Sequence, residues 1–288
     1  MNKVCTFLFI ILLAPGSMLW GTHISFTEHA ISTSADGATD VYATDMDGDG
    51  DMDVLSVSVI DDKIVWYEND GSESFTEHAI FSAQSNPSSV LAADVDGDGD
   101  MDVLSALNLL DMIVWYENDG SESFIENIIS TDAIGAIDVY AADMDGDGDL
   151  DVLSADIYGD NDGTDGKVAW YENDGSGNFG SQIIIPTDAN QPRSVYATDV
   201  DGDGDMDVLS AFALGDKIAW YENDGAVDPS FTAHTITTSA DMPWSVFSAD
   251  VDSDGDMDVL SASRNDDKIA WYENDGNQGF TEHAISTS

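Results

Sequence analysis

The chain has 288 residues, of which 42% are hydrophobic, so it is long enough and apolar enough for one large or two ordinary folded domains. Seven Lys and Arg residues against 58 Asp and Glu residues give a formal net charge of -51. This charge excludes nucleic acid and anionic membrane surfaces as electrostatic partners and makes cations the natural partners.

Residues 1–21 have the layout of a secretory signal peptide. Lys3 precedes the apolar run VCTFLFIILLA, and small residues follow near Gly16. The alternative is an uncleaved membrane anchor, but this apolar run is shorter than the ~20 residues that a span requires. We therefore expect a secreted or cell-surface mature chain, residues 22–288, without a membrane span. The single cysteine, Cys5, lies in the signal segment, so we expect no disulfide in the mature chain.

Three sequence markers recur along the rest of the chain. The first is an acidic segment, DMDGDGDMD in its first copy, which begins at Asp45, Asp94, Asp143, Asp199 and Asp250. The second, WYENDG, begins about twenty residues after each acidic segment starts, and the third is FTEHAI or a looser version of it. The acidic segments are separated by 49, 49, 56 and 51 residues. A regular period of this length is typical of repeat architectures.

Each repeat contains four segments that predict β-strands. The segments SVYATD, DVLSA, KIAWYE and FTEHAIS are short, rich in β-branched and aromatic residues, and separated by Gly, Asp and Asn. The separators are too short for crossover helices, so neighbouring strands should pair antiparallel. We predict an all-β fold, a β-propeller of four-stranded antiparallel blades. The alternative, an array of β-sandwiches, fits less well because sandwich repeats usually approach a hundred residues.

The strands of one blade are named A to D, with strand A directly before the acidic loop. Five complete blades then fit the sequence, at 38–85, 86–135, 136–189, 190–240 and 241–288. The segment ISFTEHAIS at 24–32 is a surplus D strand without a blade of its own. Either the ring has five blades and a surplus N-terminal strand, or the chain is the front part of a longer propeller.

The acidic loop carries a set of oxygen ligands that suits Ca2+, which takes about six to eight of them. In the first loop Asp45, Asp47 and Asp49 occupy positions 1, 3 and 5. Asp51 at position 7 can offer its backbone carbonyl, and Asp53 at position 9 can bind through both carboxylate oxygens. Mg2+ is the weaker candidate because it demands a tight octahedron and retains its waters.

The loop differs from an EF-hand although both begin in the same way. Gly50 at position 6 permits the positive φ of a tight turn. An EF-hand, however, ends with Glu at position 12 and is flanked by helices. Here position 12 is a serine in every copy, Ser56 in the first, and the flanks are strand-like.

The spacing resembles the calcium loops of FG-GAP, or VCBS, repeats, which occur in integrin α-subunit propellers and in many secreted bacterial proteins. The resemblance extends over essentially the whole mature chain and implies about five Ca2+ ions, one per blade, in place of disulfides. Ser253 replaces the position-4 glycine of the last loop, which suggests that position 4 is dispensable and that position 6 carries the turn. The resemblance implies ligands at Asp94, Asp96, Asp98, Asp100 and Asp102; Asp143, Asp145, Asp147, Asp149 and Asp151; Asp199, Asp201, Asp203, Asp205 and Asp207; and Asp250, Asp252, Asp254, Asp256 and Asp258.

Other recurring residues are expected to be structural. Trp66 and its equivalents should pack between blades, and ENDG is a turn by composition. Histidines recur in D strands, where we expect packing at a surface or edge: His29, His78, His234 and His283. The longer B–C connection of blade three carries Asp160, Asp162 and Asp165, which would form either a sixth, weaker cation site or a flexible acidic loop.

We expect a binding or adhesion module for a protein or glycan, not an enzyme, because almost every polar residue recurs fivefold and no singular catalytic constellation is present. The alternatives are a structural repeat domain of a larger surface protein and, less favoured, a propeller enzyme acting on polysaccharide. Departures from the repeat include Arg193, Trp244 and Arg264, which should lie on the face opposite the calcium loops. We expect the ligand there, since Arg and aromatic residues anchor interfaces. Neutral loop variation is the alternative explanation.

Overall fold

A computed structural model describes residues 27–121, 123–159, 166–187 and 190–287. These residues form 20 β-strands and one short 3-10 helix, Asn108–Leu110. No helix within these ranges has the length and apolarity that crossing a membrane requires. The predicted signal peptide and the predicted sixth cation site lie outside the described residues.

The strands form five four-stranded antiparallel sheets, each from four consecutive strands. The first sheet contains β1 (Ala38–Thr44), β2 (Asp53–Ser58), β3 (Lys63–Asn69) and β4 (Phe75–Ser82). The second contains β5 (Pro87–Ala93), β6 (Asp102–Leu107), β7 (Met112–Asn118) and β8 (Phe124–Ser130). The third contains β9 (Ala136–Ala142), β10 (Asp151–Asp156), β11 (Lys167–Tyr171) and β12 (Ile183–Ile185).

The fourth and fifth sheets repeat this order. The fourth contains β13 (Pro192–Thr198), β14 (Asp207–Phe212), β15 (Lys217–Asn223) and β16 (Phe231–Thr237). The fifth contains β17 (Pro243–Ala249), β18 (Asp258–Ser263), β19 (Lys268–Asn274) and β20 (Phe280–Ser286). The prediction of five blades, each with strands A to D in sequence, is confirmed.

Side chains alternate along each strand, so every blade has two apolar faces. The face that carries the tryptophan of WYENDG is named the Trp face, and the face that carries the next residue, a tyrosine, is named the Tyr face. Four hydrophobic clusters pack the Trp face of one sheet against the Tyr face of the next. The predicted packing of the tryptophans between blades is confirmed for four of the five, which are 1% to 4% exposed: Trp66, Trp115, Trp170 and Trp220.

Closure of the five sheets into a ring is not detected among the described residues. None of the four clusters, which cover the described residues, joins the fifth sheet to the first. Residues 27–32 form no strand, so the surplus strand predicted at 24–32 is not seen in its described part. A lone D strand has no C strand beside it to pair its backbone groups, which accounts for the difference from the D strands inside blades.

The third blade departs most from the repeat. Its D strand, β12, has three residues, and Phe179 forms only an isolated bridge with Asn173. Gly177 and Gly180 flank this bridge, and Gly177 has a φ of +70°. Glycine weakens a strand interior, which explains why the looser FTEHAI copy here pairs over a shorter length.

Three of the recurring histidines pack at the outer edge of the sheets, as predicted. His78 stacks on Trp66 with ring centroids 4.6 Å apart, and its Nε2 lies 2.7 Å from Glu68 Oε2. The same stacked arrangement recurs in the fourth and fifth blades, in the pairs Trp220–His234 and Trp271–His283. His29 lies 3.5 Å from Glu73 in an exposed pair.

Two aspartates on the inner strands tie neighbouring blades together, a role the sequence did not reveal. Asp40 Oδ2 accepts a hydrogen bond from Val90 N at 3.0 Å, and Asp138 Oδ2 accepts one from Val195 N at 2.9 Å. Ser89 Oγ also donates to Asp138 at 3.0 Å. Burial raises the pKa of Asp138 to about 6, and the negative charge of Asp40 acts in the same direction.

Asp138→Asn is expected to change how stability depends on pH. The raised folded-state pKa means that the folded chain binds this proton more tightly than the unfolded chain does. The contribution to stability is therefore present below pH ~4 and is lost as the pH rises through about 6. Relative to the variant, the unmodified chain should lose roughly 2 kcal/mol of unfolding free energy between pH 4 and 7.

Urea denaturation at several pH values measures this difference. Asp228→Asn is the matched control, because Asp228 is exposed in a C–D connection. The interpretation of Asp138 is wrong if the pH profiles of the unmodified chain and Asp138→Asn run parallel.

Candidate metal centres

All five acidic loops have one backbone geometry and connect strands A and B. The position-6 glycines have φ between +96° and +105° in every loop: Gly50, Gly99, Gly148, Gly204 and Gly255. The N–H of this glycine donates to the position-1 aspartate, and in the first loop Gly50 N lies 3.0 Å from Asp45 Oδ2. The turn therefore folds position 1 back over position 6, as the predicted requirement for glycine at that position implies.

Position 4 is not a neutral position, contrary to the prediction. It also has positive φ in every loop, and Gly48, for example, has a φ of +74°. Ser253, which replaces this glycine in the fifth loop, adopts a φ of +66°. A residue with a Cβ enters this left-handed region at a cost of about 1 kcal/mol or more. The fifth loop therefore keeps the common geometry despite local strain.

The loops bring three carboxylates together in each blade. The candidate ligand atoms within each group lie within 4.8 Å of one another. The groups comprise positions 1, 3 and 9 in the first three loops and positions 1, 3 and 5 in the last two: Asp45, Asp47 and Asp53; Asp94, Asp96 and Asp102; Asp143, Asp145 and Asp151; Asp199, Asp201 and Asp203; Asp250, Asp252 and Asp254.

The remaining predicted ligands stand outside these groups. They include position 5 of the first three loops and position 9 of the last two. The position-7 side chains are outside the groups in every loop. The prediction for position 7 concerned its backbone carbonyl and not its side chain. In the first loop the Asp51 carboxylate packs directly against Gly71 of the ENDG turn, and a Cβ at residue 71 would collide with it.

The position-9 aspartates are fully buried and hold the loop to the end of strand C. Asp53 is 0% exposed. Its Oδ2 accepts from Met46 N at 3.0 Å, and its Oδ1 accepts from Asn69 N at 2.7 Å. The same pair of bonds recurs in the other four blades. Position 9 therefore has a structural role beside any role as a ligand.

Burial also alters the acidity of several loop carboxylates. It raises the pKa of Asp102 and Asp207 to about 7 and that of Asp151 to about 6. Nearby loop carboxylates raise these pKa values further, against the lowering effect of the backbone hydrogen bonds. The ionised carboxylates are thus unfavourable here unless positive charge neutralises them.

The asparagine of ENDG, which composition alone presented as part of a turn, supports the acidic loop by hydrogen bonds. Asn69 Nδ2 donates to Met52 O at 3.1 Å, and Asn69 N donates to Asp53. The ENDG turn and the acidic loop therefore lie together at the same end of the strands of a blade. A sequence signal for this contact exists, because the asparagine follows the position-9 aspartate by 16 residues in four blades and by 22 in the third.

The arrangement fits a hard divalent cation. Asp45 Oδ1 and Asp94 Oδ1 are buried and have no hydrogen-bond partner among the described residues. An unsatisfied buried carboxylate oxygen is costly, whereas a bound cation satisfies it directly. Clusters that offer only oxygen atoms favour Ca2+ or Mg2+ over softer metals.

The three predicted ligand residues meet on the face opposite the acidic loops. Arg193 Cζ lies 4.3 Å from the centroid of the Trp244 ring, and Arg264 Cζ lies 5.1 Å from it. Trp244 is 39% exposed. Burial lowers the pKa of Arg193, and the charge of Arg264 lowers it further. The structure thus gathers residues that are 51 and 20 positions apart in the sequence.

Comparison with known proteins identifies the repeat. A model of the FG-GAP-like repeat matches residues 45–105, 110–154, 155–210, 211–261 and 250–288. No curated protein matches the chain.

Two of the solved structures that are similar in fold share 16% and 18% identity with this chain. One is a functionally unknown protein from Desulfotomaculum acetoxidans, with a TM-score of 0.58 and 16% identity, over 88% of this chain and 71% of that one. The other is the V. cholerae biofilm matrix protein Bap1, with a TM-score of 0.50 and 18% identity, over 86% of this chain and 39% of Bap1. At these identities the likeness concerns the fold.

Proposed function

Because the chain belongs to the FG-GAP-like repeat family, we propose that it is a secreted, calcium-stabilised β-propeller that binds a protein or glycan ligand. The calcium part of this proposal rests on the five carboxylate groups, one per blade, and on the unsatisfied oxygens of Asp45 and Asp94. Asp residues at positions 1, 3, 5 and 9 would hold the ion with a position-7 carbonyl. The ion would offset part of the negative charge of the loop and fix the A–B connection.

The ligand part of the proposal rests on the cluster of Arg193, Trp244 and Arg264. The sequence contains two arginines, and both guanidinium groups lie on one exposed indole ring. Neither arginine has a carboxylate partner among the described residues, although the chain carries 58 acidic side chains. Arg193 Nε is buried and has no hydrogen-bond partner among the residues that the structure describes. A donor left unsatisfied in this way is available to a ligand oxygen.

The chemistry of the cluster suits a ligand with both a flat and an oxygen-bearing surface. The indole ring can stack on a sugar ring or an aromatic side chain, and the guanidinium groups can donate to carbonyl or hydroxyl oxygens. The acidic surface disfavours polyanions such as nucleic acid. The V. cholerae protein of similar fold is a biofilm matrix protein, and a place in such a matrix agrees with the signal peptide predicted for this chain.

Trp244→Ala and Arg264→Ala are expected to weaken ligand binding by about tenfold or more without lowering the melting temperature, because both residues are exposed and neither belongs to a hydrophobic cluster of the described residues. A glycan array and a panel of extracellular proteins identify the ligand, and titration of each variant measures its affinity. Leu214→Ala is the matched control, since Leu214 is 58% exposed in a B–C turn outside the cluster. Unchanged affinity in both cluster variants would remove this site.

A catalytic role is not part of the proposal. The carboxylates recur in five similar loops, whereas catalysis requires a singular group with a distinct environment. A panel of polysaccharide hydrolase assays tests this directly, and turnover that is lost in a loop or cluster variant would contradict it.

A further inference from the structure

The junction between consecutive blades recurs four times with the same residues. On the Trp face, the leucine of DVLS and the β-branched residue after the lysine or methionine of strand C are fully buried. Leu55, Leu104, Leu153 and Leu209 are each 0% exposed, as are Ile64, Ile113, Val168 and Ile218. On the Tyr face, the strand A valines are 3% or 4% exposed: Val90, Val139, Val195 and Val246.

The fifth sheet has the same Trp face but nothing covers it among the described residues. Ile269 is 42% exposed and Ile285 is 52% exposed, and Leu260 and Trp271 are only half-buried. This surface carries the residue types that are buried at the four junctions, so apolar residues typical of a core are exposed here.

The first sheet presents the complementary half of the junction. Val41, the equivalent of the buried strand A valines, is 49% exposed, and Ala43 beside it is exposed. Val54 is half-buried, whereas its equivalents Val103 and Val152 are 0% exposed. Val65 and Tyr67, further out on the same face, are already buried, so the open part lies on strands A and B.

A hydrogen bond that recurs across the junctions has its donor on the first sheet and its acceptor on the fifth sheet without a partner blade. At three junctions the ENDG asparagine donates through Nδ2 to the position-2 carbonyl of the preceding acidic loop. Asn173 reaches Val95 O at 2.7 Å, and Asn223 and Asn274 make equivalent bonds. The equivalent asparagine of the first blade is Asn69, and the equivalent position-2 carbonyl of the fifth blade is that of Val251.

We propose that the Trp face of the fifth sheet binds the Tyr face of the first sheet in a second copy of the chain. The contact repeats an interface that the molecule already forms four times, with Ile269 and Trp271 of one copy against Val41 and Val54 of the other. Asn69 Nδ2 of the second copy would donate to Val251 O.

Such a contact is heterologous, because the two copies use different surfaces. Each added copy leaves one face of each kind free, so the assembly either closes into a ring of copies or grows as a chain. This self-association goes beyond ligand binding, and it is independent of the Arg193, Trp244 and Arg264 cluster.

Single-face variants test the proposal. Ile269→Asp places a charge on the Trp face and leaves the Tyr face intact, and Val41→Asp does the reverse. Light scattering and sedimentation of the calcium-loaded chain from micromolar to millimolar concentration should give masses that rise in whole multiples of the monomer mass. Each variant alone should remain a monomer. An equimolar mixture of the two should form a 1:1 dimer and nothing larger, since one intact face of each kind remains.

Val227→Asp is the matched control, because Val227 is 76% exposed and lies in a C–D connection. It should assemble as the unmodified chain does, and all variants should keep the same circular dichroism spectrum. A chain that stays monomeric over the whole concentration range overturns the proposal and assigns the face to another occupant, such as a further blade. Assembly of Ile269→Asp alone, or a mixture without a 1:1 dimer, overturns it as well.

Discussion

Chelation of calcium is expected to lower the melting temperature of this chain by about 10 °C or more. The acidic loops concentrate 25 of the 58 carboxylates, and among the described residues the buried oxygens Asp45 Oδ1 and Asp94 Oδ1 have no hydrogen-bond partner. An ion that binds the folded chain alone adds about 2.7 kcal/mol per site when its free concentration is about 100 times Kd. Each kcal/mol is worth about 2 to 4 °C in a chain of this size, so several sites together give a large shift.

Calorimetry with calcium, with magnesium and with EDTA measures this shift. Calcium should restore the melting temperature after EDTA treatment, and magnesium should restore less because it retains its waters. An equal melting temperature with calcium and with EDTA would contradict the calcium proposal.

Asp252→Ala separates the loss of a ligand from the loss of a fold contact. Asp252 belongs to the fifth carboxylate group, is exposed, and accepts one local hydrogen bond from Asp254 N at 3.1 Å. The variant should melt lower than the unmodified chain in calcium but at nearly the same temperature in EDTA. Asp228→Ala, in an exposed connection, should change neither value.

The local structure of each blade could be predicted because it depends on short-range patterns. Alternating apolar residues and turn residues define the strands, and the aspartate spacing defines the loop from Asp45 to Asp53. Position 4 was misjudged because Ser253 was taken as evidence of tolerance, whereas it occupies the same left-handed conformation as the glycines. A substitution shows that a residue is accommodated, not that it is free of strain.

The contacts between blades could not be predicted in the same way. Ile218 and Ile269 occupy identical positions in KIAWYE, yet Ile218 is 0% exposed and Ile269 is 42% exposed. What differs is the presence of a following sheet, which lies outside the repeat itself. The sequence pattern likewise did not predict the bonds from Asp40 and Asp138 to the next blade, because serine occupies the same position in the other blades.

The tryptophans of the fourth and fifth blades are expected to differ sharply in their contribution to stability. Trp220 is 1% exposed and packs in a cluster with Val246, Val259 and Tyr272 of the next sheet. Trp271 has the same strand position but is half-buried, with no following sheet among the described residues. We expect Trp220→Ala to cost about 3 to 5 kcal/mol of unfolding free energy and Trp271→Ala to cost about 1 to 2 kcal/mol.

The comparison emphasises the junction because the stacking of the two rings on a histidine is matched. Trp220 stacks on His234 at 4.4 Å and Trp271 stacks on His283 at 4.5 Å, so both variants lose the same ring contact. Urea denaturation in calcium at low protein concentration measures the two free energies without self-association. Equal losses there would show that the Trp face of the fifth sheet is already covered within one chain. If a second copy covers it, the cost of Trp271→Ala should instead rise with protein concentration, while that of Trp220→Ala stays constant, since mass action couples only the open face to assembly.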